Sequence, residues 1–301
     1  MIIPTLRQLQ YLVALGETGS FSRAAEACHV TQPTLSAAVK QLEDQLGVML
    51  VRRGSRFQGL TPEGKRVLEW ARRIVGDARS MHQEMRAAKH GLSGHMRIAV
   101  IPTAMAMVNE LTGPFFDKHP NLTFSILSRS SVEILSLLEN LEVDAGITYL
   151  DNEPLGRVAT VPLFTEHYRL VTIEGAPFAD RESVTWKEVA TLPLCLLTPE
   201  MQNRRIINHH LAAAGTNVAP TLESDSMIAL FSHVRTGRWA SIMPHKAVEI
   251  FSGWSEVRSV PITAPEASHS VGLVAAYREP YTPVIAAFLD EARRHARKEG
   301  G

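Results

Sequence analysis

The side chains best placed to touch a partner lie in one short run, Gln32-Pro33-Thr34-Leu35-Ser36-Ala37-Ala38-Val39-Lys40-Gln41. Wound into a helix at about 100° per residue, this run puts Leu35, Ala38, Val39, Leu42 and Leu46 on one side. The opposite side carries Pro33, Ser36, Ala37, Lys40 and Gln41, with Gln32 and Thr34 at its N-terminal edge, and the acids Glu43 and Asp44 are held back to its far end. Short side chains allow close approach, hydroxyls and amides can bond base edges, and no carboxylate stands near phosphate. A helix entering a major groove needs all three; the plainer alternative is a solvated helix face. A few residues on, Arg52, Arg53 and Arg56 crowd around Gly54-Ser55. Their guanidinium groups are permanently charged and offer forked donors suited to phosphate or a minor groove.

A second set of candidates consists of hydroxyls at the ends of β-rich runs. Thr103, Ser128, Ser130, Ser131, Thr148, Thr198, Ser224 and Ser226 all fall where a strand gives way to a helix. In open α/β sheets, ligands bind beyond the carboxyl ends of strands, where helix N-termini aim free N–H groups outward. Such a cleft suits a small anionic metabolite, with Arg129 as one source of countercharge. Each hydroxyl also has a local explanation: Ser130-x-x-Glu133 is a capping box, and Thr198-Pro199-Glu200 is a good helix start. Met201 is included as an apolar neighbour of that turn.

Other chemistry is poorly represented. Cys28 and Cys195 are far apart, without metal-ligand or CxxC spacing, and read as buried thiols; no metal or cofactor is expected. Redox sensing through Cys195 is an alternative, but no second cysteine follows Gly91 to resolve a sulfenic acid. His209 and His210 are adjacent in an expected helix and point to different sides. GxSxG, HExxH, GxGxxG after a strand and GxxxxGK[ST] are all missing, so no enzyme is expected.

Helical periodicity explains how the first set is positioned. Leu6, Leu9, Leu12, Val13 and Gly16 share one face, with Thr5 to cap and Gly19 to stop. Ser22 is expected to cap a short second helix. His29 to Thr31 form a tight turn, Thr31 caps the third helix with Pro33 in its first turn, and Gly47 ends it. Two helices so joined make a helix-turn-helix, and residues 48–60 read as a wing with two short strands. A fourth helix starts at Thr61-Pro62 and has no strong stop before Gly91. Along it Val67, Ala71, Ile74, Ala78, Met81, Met85 and Ala88 recur at the 3.5-residue period of a coiled-coil seam, which implies a partner helix, most simply from a second copy.

From His95 onward, strands near 97–101, 122–127 and 144–149 alternate with helices as βαβ units, so a parallel sheet is expected; a second set near 166–173, 194–197, 221–224 and 239–244, and a last strand near 270–277, make two α/β lobes the natural parse, with crossings near 160 and 266. Charge divides at the same border. The chain has 301 residues and zero net charge, yet residues 1–90 hold 13 Lys+Arg and 8 Asp+Glu, leaving 18 and 23 for the rest of the 31 and 31. A basic head on an acidic remainder fits a nucleic-acid-binding module joined to a different one. No apolar run reaches the ~20 residues that cross a bilayer, and the N-terminus lacks a secretion signal, so a cytosolic protein with no membrane contact is expected.

The segments SFSRAA, TQPTLS, QLEDQLG and LTPEG within residues 5–65, followed by the long helix and the two α/β lobes, resemble the LysR-type transcriptional regulators over essentially the whole chain. Ala37, Ala38 and Met49-Leu50 depart from the family pattern in ways that bear on base preference. The resemblance implies a winged helix-turn-helix over 1–60, a linker and dimerisation helix over 61–90, and a periplasmic-binding-protein-like effector domain over 91–301. Its lobe I comprises 91–161 and 267–301, and lobe II 162–266. It further implies a homodimer through the linker helix, a homotetramer, a dyad operator in double-stranded DNA, contact with RNA polymerase and a small-molecule effector. Gln32, Pro33, Thr34, Ser36, Lys40, Arg52, Arg53 and Arg56 would face DNA. Thr103, Ser131 and Thr198 gain weight as effector-binding residues, ahead of Ser130, Thr148, Met201 and Ser226. A metabolite-binding protein without DNA activity is the rival class.

Overall fold

The computed structural model describes residues 3–52, 57–151, 153–216, 218–249 and 253–299. It comprises two compact units, Met1–His90 and Gly91–Gly301.

The first unit opens with α1 (Leu6–Thr18), α2 (Phe21–Ala27) and α3 (Gln32–Leu46), and ends on the long α4 (Pro62–His90). Thr5 and Gln8 form a reciprocal capping box at the start of α1, and Gly19 stops it in the left-handed conformation. The α2 helix begins two residues earlier than expected, with Ser20 at its N-cap position but no cap bond from the Ser20 side chain. Ser22 therefore lies inside the helix, and its hydroxyl donates to Gln32 Oε1 at 2.9 Å, joining α2 to the start of α3. Thr31 caps α3 through its hydroxyl, and Gly47 ends it. Leu35, Val39 and Leu42 are buried with Leu9, Leu12 and Leu15, whereas Ala38 is half-buried and Leu46 is exposed.

Glu43 corrects the sequence reading most sharply. Expected at the far end of the polar face, it is buried, and its Oε1 accepts the backbone N–H of Leu50 at 2.7 Å and of Val51 at 3.0 Å. The carboxylate thus ties α3 to the chain entering the wing. That chain meets its return in a single antiparallel bridge, Val51 with Leu60, rather than in two full strands. Gly64 is required here, since a Cβ would lie 2.0 Å from the Leu50 carbonyl oxygen. Arg53 and Arg56 lie outside the described residues; Arg52 is exposed.

The α4 helix divides its apolar residues differently from the expected seam. Leu68, Ala71 and Val75 are buried in the unit's own core, so Ala71 leaves the seam. Trp70, 63% exposed, joins Ile74, Met81 and Met85 in an exposed stripe. Val67 and Ala78 are half-buried beside it, and Ala88 lies outside the described side chains.

The second unit begins with β1 (Gly94–Val100), α5 (Val108–Lys118), β2 (Leu122–Ser128), α6 (Ser131–Glu139) and β3 (Ala145–Tyr149). The strand β4 (Val158–Ile173) then runs through both lobes. Lobe II adds β5 (Val184–Thr185), α7 (Trp186–Val189), β6 (Cys195–Leu197), α8 (Gln202–Ala213), β7 (Leu222–Ser224), α9 (Met227–Val234), β8 (Ser241–Pro244), α10 (His245–Glu249) and β9 (Val257–Ala264). The chain returns through β10 (Ser268–Ala276) and closes with α11 (Pro283–Glu299).

The main sheet has the order β2-β1-β3-β10-β4-β9-β5, with β8 also on β4. Only part of it is parallel: β1 pairs in parallel with β2 and β3, but β10 is antiparallel to both β3 and β4. The first three strands are parallel as expected, but the sheet as a whole is mixed, because the chain re-enters lobe I along the strand by which it left. β6 and β7 form a separate parallel pair. The fold is a winged helix-turn-helix, a long helix and a two-lobed α/β unit.

Replacing Glu43 with Ala should strand two buried amides and lower stability by about 3 kcal/mol. Urea unfolding of wild type, Glu43→Ala and Glu43→Gln checks this, with Glu43→Gln expected in between.

Candidate functional site

The polar face of α3 stands free within its unit. Gln32, Pro33, Thr34, Ser36, Ala37, Lys40 and Gln41 are all exposed, while Leu35 and Val39 anchor the opposite side. The Thr31 and Thr34 hydroxyls lie 2.8 Å apart, and Gln32 is steadied by Ser22, so the N-terminal turn of α3 presents oriented hydrogen-bonding groups. The first turn carries no acid. A short, acid-free, cationic helix face backed by a packed core can dock on a duplex groove without further rearrangement.

In the second unit, the strand-to-helix turns of both lobes converge. Ile101, Pro102, Thr103, Ser130, Ser131, Tyr149, Leu197, Met201, Gln202 and Asn203 line a chamber of about 10 Å³, room for one water-sized molecule. Outside it lies a cleft of about 970 Å³, lined from lobe I by residues including Arg129, Ser130 and Val132 and from lobe II by residues including Met201, Arg205, Ser226 and Ile228. Four of the expected residues, Thr103, Ser130, Ser131 and Met201, thus meet in the chamber, and Ser226 joins Ser130 and Met201 at the cleft.

Their individual roles differ. Ser130 caps α6 in a capping box, and the bonds from its own amide and hydroxyl hold the Glu133 carboxyl below the usual carboxylate range. Ser131, the first residue of α6, is buried, and its hydroxyl has no hydrogen-bond partner among the described residues. Ser226 caps α9. Thr148 is fully buried in β3, but its neighbour Tyr149 lines the chamber in its place. Thr198 is half-buried, lines neither space, and serves the turn through its backbone: its N–H donates to the Ser224 carbonyl at 3.2 Å. Arg129 is exposed on the cleft rim and donates to the Ser128 carbonyl.

Sequence reading missed the residues behind the chamber. Tyr149 donates to Glu166 Oε2 at 2.6 Å and accepts from Asn203 Nδ2 at 3.1 Å, linking β3, β4 and α8. Glu166 is completely buried, and desolvation raises its carboxyl from the ordinary 4.5 to about 7, with the Tyr149 bond pulling the other way. The same burial raises the Tyr149 phenol. The helix α8 makes further contacts across the lobes: Gln202 Nε2 donates to the Asp151 carbonyl at 3.1 Å, Arg205 bonds Glu153 at 2.5 Å, and His210 Nε2 lies 3.1 Å from His269 Nε2. A signal for Glu166 existed in the sequence, since it shares its alternate-residue face with the apolar Tyr168 and Leu170.

Cys195 is buried among Val171, Leu197, Phe231 and Met243, and burial pushes its thiol up to about 11. Among the described residues, no group of three or more His, Cys, Asp or Glu side chains could hold a metal ion, and no helix is long and apolar enough to cross a membrane.

A cationic helix face on one unit, and an interlobe chamber in the other, are features of a DNA-binding regulator that carries an effector-binding domain. Comparison with known proteins gives the lineage. Residues 6–65 match the bacterial regulatory helix-turn-helix protein model of the lysR family, and residues 89–297 match the LysR substrate binding domain. The chain belongs to the LysR family of transcriptional regulators. It is similar to the DNA-binding transcriptional dual regulator OxyR of Escherichia coli K12, and equally to the hydrogen peroxide-inducible genes activator of E. coli strain CFT073. Each is 31% identical over 306 residues, covering 98% of this chain and 96% of the relative. Among solved structures, a full-length cysteine-to-aspartate variant of OxyR from Pseudomonas aeruginosa aligns with a TM-score of 0.80 at 26% identity, covering 98% of this chain and all of that one. Membership in the family removes the rival reading of a binding protein without a DNA-binding head.

Glu166 makes stability depend on pH. Its folded-state proton affinity exceeds that of the unfolded chain, so its contribution is fully present below about pH 4.5 and is lost as pH rises through about 7. The loss is on the order of 3 kcal/mol. Glu166→Gln should flatten this dependence in urea titrations at pH 5 and pH 8.

Proposed function

We propose that this regulator binds a dyad operator through α3 and the arginines of the wing, and that a small polar molecule entering the interlobe cleft governs its activity. The observation that carries the DNA half is the exposure of Gln32, Pro33, Thr34, Ser36 and Lys40 on a helix whose other side is locked in the core. Ser36 and Thr34 are short enough to approach base edges, while Lys40 and Arg52 suit phosphate contacts. The exposed stripe of Trp70, Ile74, Met81 and Met85 supports pairing of α4 with a second copy, and a tetramer would then follow from two such dimers. At ~1.5 Å per residue, the 29 residues of α4 extend about 43 Å, enough to set two heads at separate half-sites.

Support for the effector half comes from the convergence of Thr103 and Ser131 with the first turn of α8 on one chamber. The first turn of α8, which has no side-chain cap, and the α6 amides that the Ser130 cap leaves open favour an acceptor or anionic group there, each helix end being worth about 0.3–1 kcal/mol. Closure of the lobes on such a molecule would rearrange the dimers and the DNA they hold.

A second reading, response to peroxide, is favoured by the name of the E. coli strain CFT073 relative. Reaction through Cys195 would need a thiolate, and the burial and high proton affinity of this thiol work against one.

Lys40→Ala should weaken binding of the protein's own upstream DNA and lower the slope of log affinity against log salt by about one. Fluorescence anisotropy at several salt concentrations tests this, and an unchanged slope removes Lys40 from the interface. Footprinting with and without hydrogen peroxide separates the two sensing modes. Wild type and Cys195→Ser are expected to give the same pattern, whereas a peroxide shift present only in wild type would establish the thiol reading.

A further inference from the structure

The chamber and the outer cleft make different demands on one molecule. Ser131 is 3% exposed, and its hydroxyl is without a partner among the described residues where it lines the chamber. A hydroxyl so placed costs desolvation until something bonds it. Its neighbour Ser130 is already committed to the α6 cap. Yet the chamber holds only one water-sized group, so the rest of any larger ligand must lie in the outer cleft.

That outer space is not uniformly polar. Its two lips are Val132, second residue of α6 and 60% exposed, and Ile228, second residue of α9 and 72% exposed. Met105, Met201 and Met227 line the space with them. Isolated apolar side chains on a convex surface are ordinary, but large ones grouped around a concavity mark a binding surface. The methionines are unbranched and polarizable, so they can mould to an apolar body of variable shape. Three carboxylates, Glu133, Glu200 and Asp225, also line the cleft, against two arginines, of which Arg205 is paired with Glu153.

We infer that the effector is amphipathic: a compact hydrogen-bond-accepting head reaches Ser131 in the chamber, and an apolar body lies in the outer cleft between Val132 and Ile228. This inference rests on the cleft reading above and specifies its ligand class. Ser131 and the α6 amides donate to the head, while the apolar body removes the two lips and the three methionines from water. A larger, fully polar effector would leave those lips unburied.

A homologous series tests this directly. Binding of butanoate, hexanoate and octanoate to the full-length protein is measured by calorimetry, with hexylamine as the head-group control. Burial of one methylene corresponds to about a fourfold gain in affinity, so a gain approaching fourfold per methylene is expected along the acids. Hexylamine should bind at least tenfold more weakly than hexanoate. Val132→Ser and Ile228→Ser change exposed side chains that the fold tolerates; each should reduce the gain to under twofold per methylene. Acids that bind without a chain-length gain, or a gain that survives both substitutions, would overturn the apolar body while leaving the cleft reading intact. Equal binding of hexylamine and hexanoate would overturn the accepting head. Failure of all three acids to bind would remove the cleft reading itself, and this inference with it.

Discussion

A buried carboxyl held by a phenol lies at the centre of the effector unit. Glu166 sits on β4, which runs through both lobes, and the Tyr149 hydroxyl that donates to its Oε2 also accepts from Asn203 of lobe II. No arginine or lysine neutralises Glu166 among the described contacts; its charge is suppressed by burial instead. The chamber in front of Tyr149 is therefore shaped by hydrogen bonds rather than by ion pairs. The Tyr149 hydroxyl donates one way and accepts the other, which fixes the relative placement of β3, β4 and α8.

The head is organised by a different device, a buried carboxylate used as a structural acceptor of backbone amides. Glu43 takes two backbone amides of the segment leading into the wing, and so sets where the wing begins relative to α3. The N-terminal turn of α3 is fixed independently by Thr31 and by the Ser22 bond to Gln32. Ser36 and Lys40, between these two points, are exposed and are among the residues proposed to face DNA, together with Gln32 and Thr34 of the fixed first turn.

Much of this was legible from local rules. Caps and stops gave α1 and α3 to within a residue, since Thr5, Thr31, Gly19 and Gly47 act on neighbours that periodicity already marks. The strand-to-helix hydroxyls led to Thr103, Ser130, Ser131 and Met201 because the turns that carry them converge in any sheet of this kind. What escaped depends on long-range pairing. The phase of α4 follows from which residues α1 covers, so Ala71 and Trp70 exchanged roles. β9 escapes because Pro261 interrupts a short alternating run, and the antiparallel direction of β10 escapes because its partners cannot be read from its own residues. Glu43 and Glu166 were misplaced or missed for a shared reason. A carboxylate is assumed to seek water until the amides or the phenol that replace it are known.

The continuous strand also sets the mechanics of the sensor. β4 spans both lobes, and its pairing with β10 shifts register between Val271 and Gly272, where a side chain on Gly272 would strike the Val161 carbonyl oxygen. At about 3.3 Å per residue the 16 residues of β4 extend ~50 Å. A flexure of roughly 10° near its middle would displace one end by ~4 Å relative to the line of the other half, about the thickness of an aliphatic chain. The irregularity thus gives the ribbon a leaf-spring character, converting a small angular deflection at the root into a sizeable excursion at the periphery.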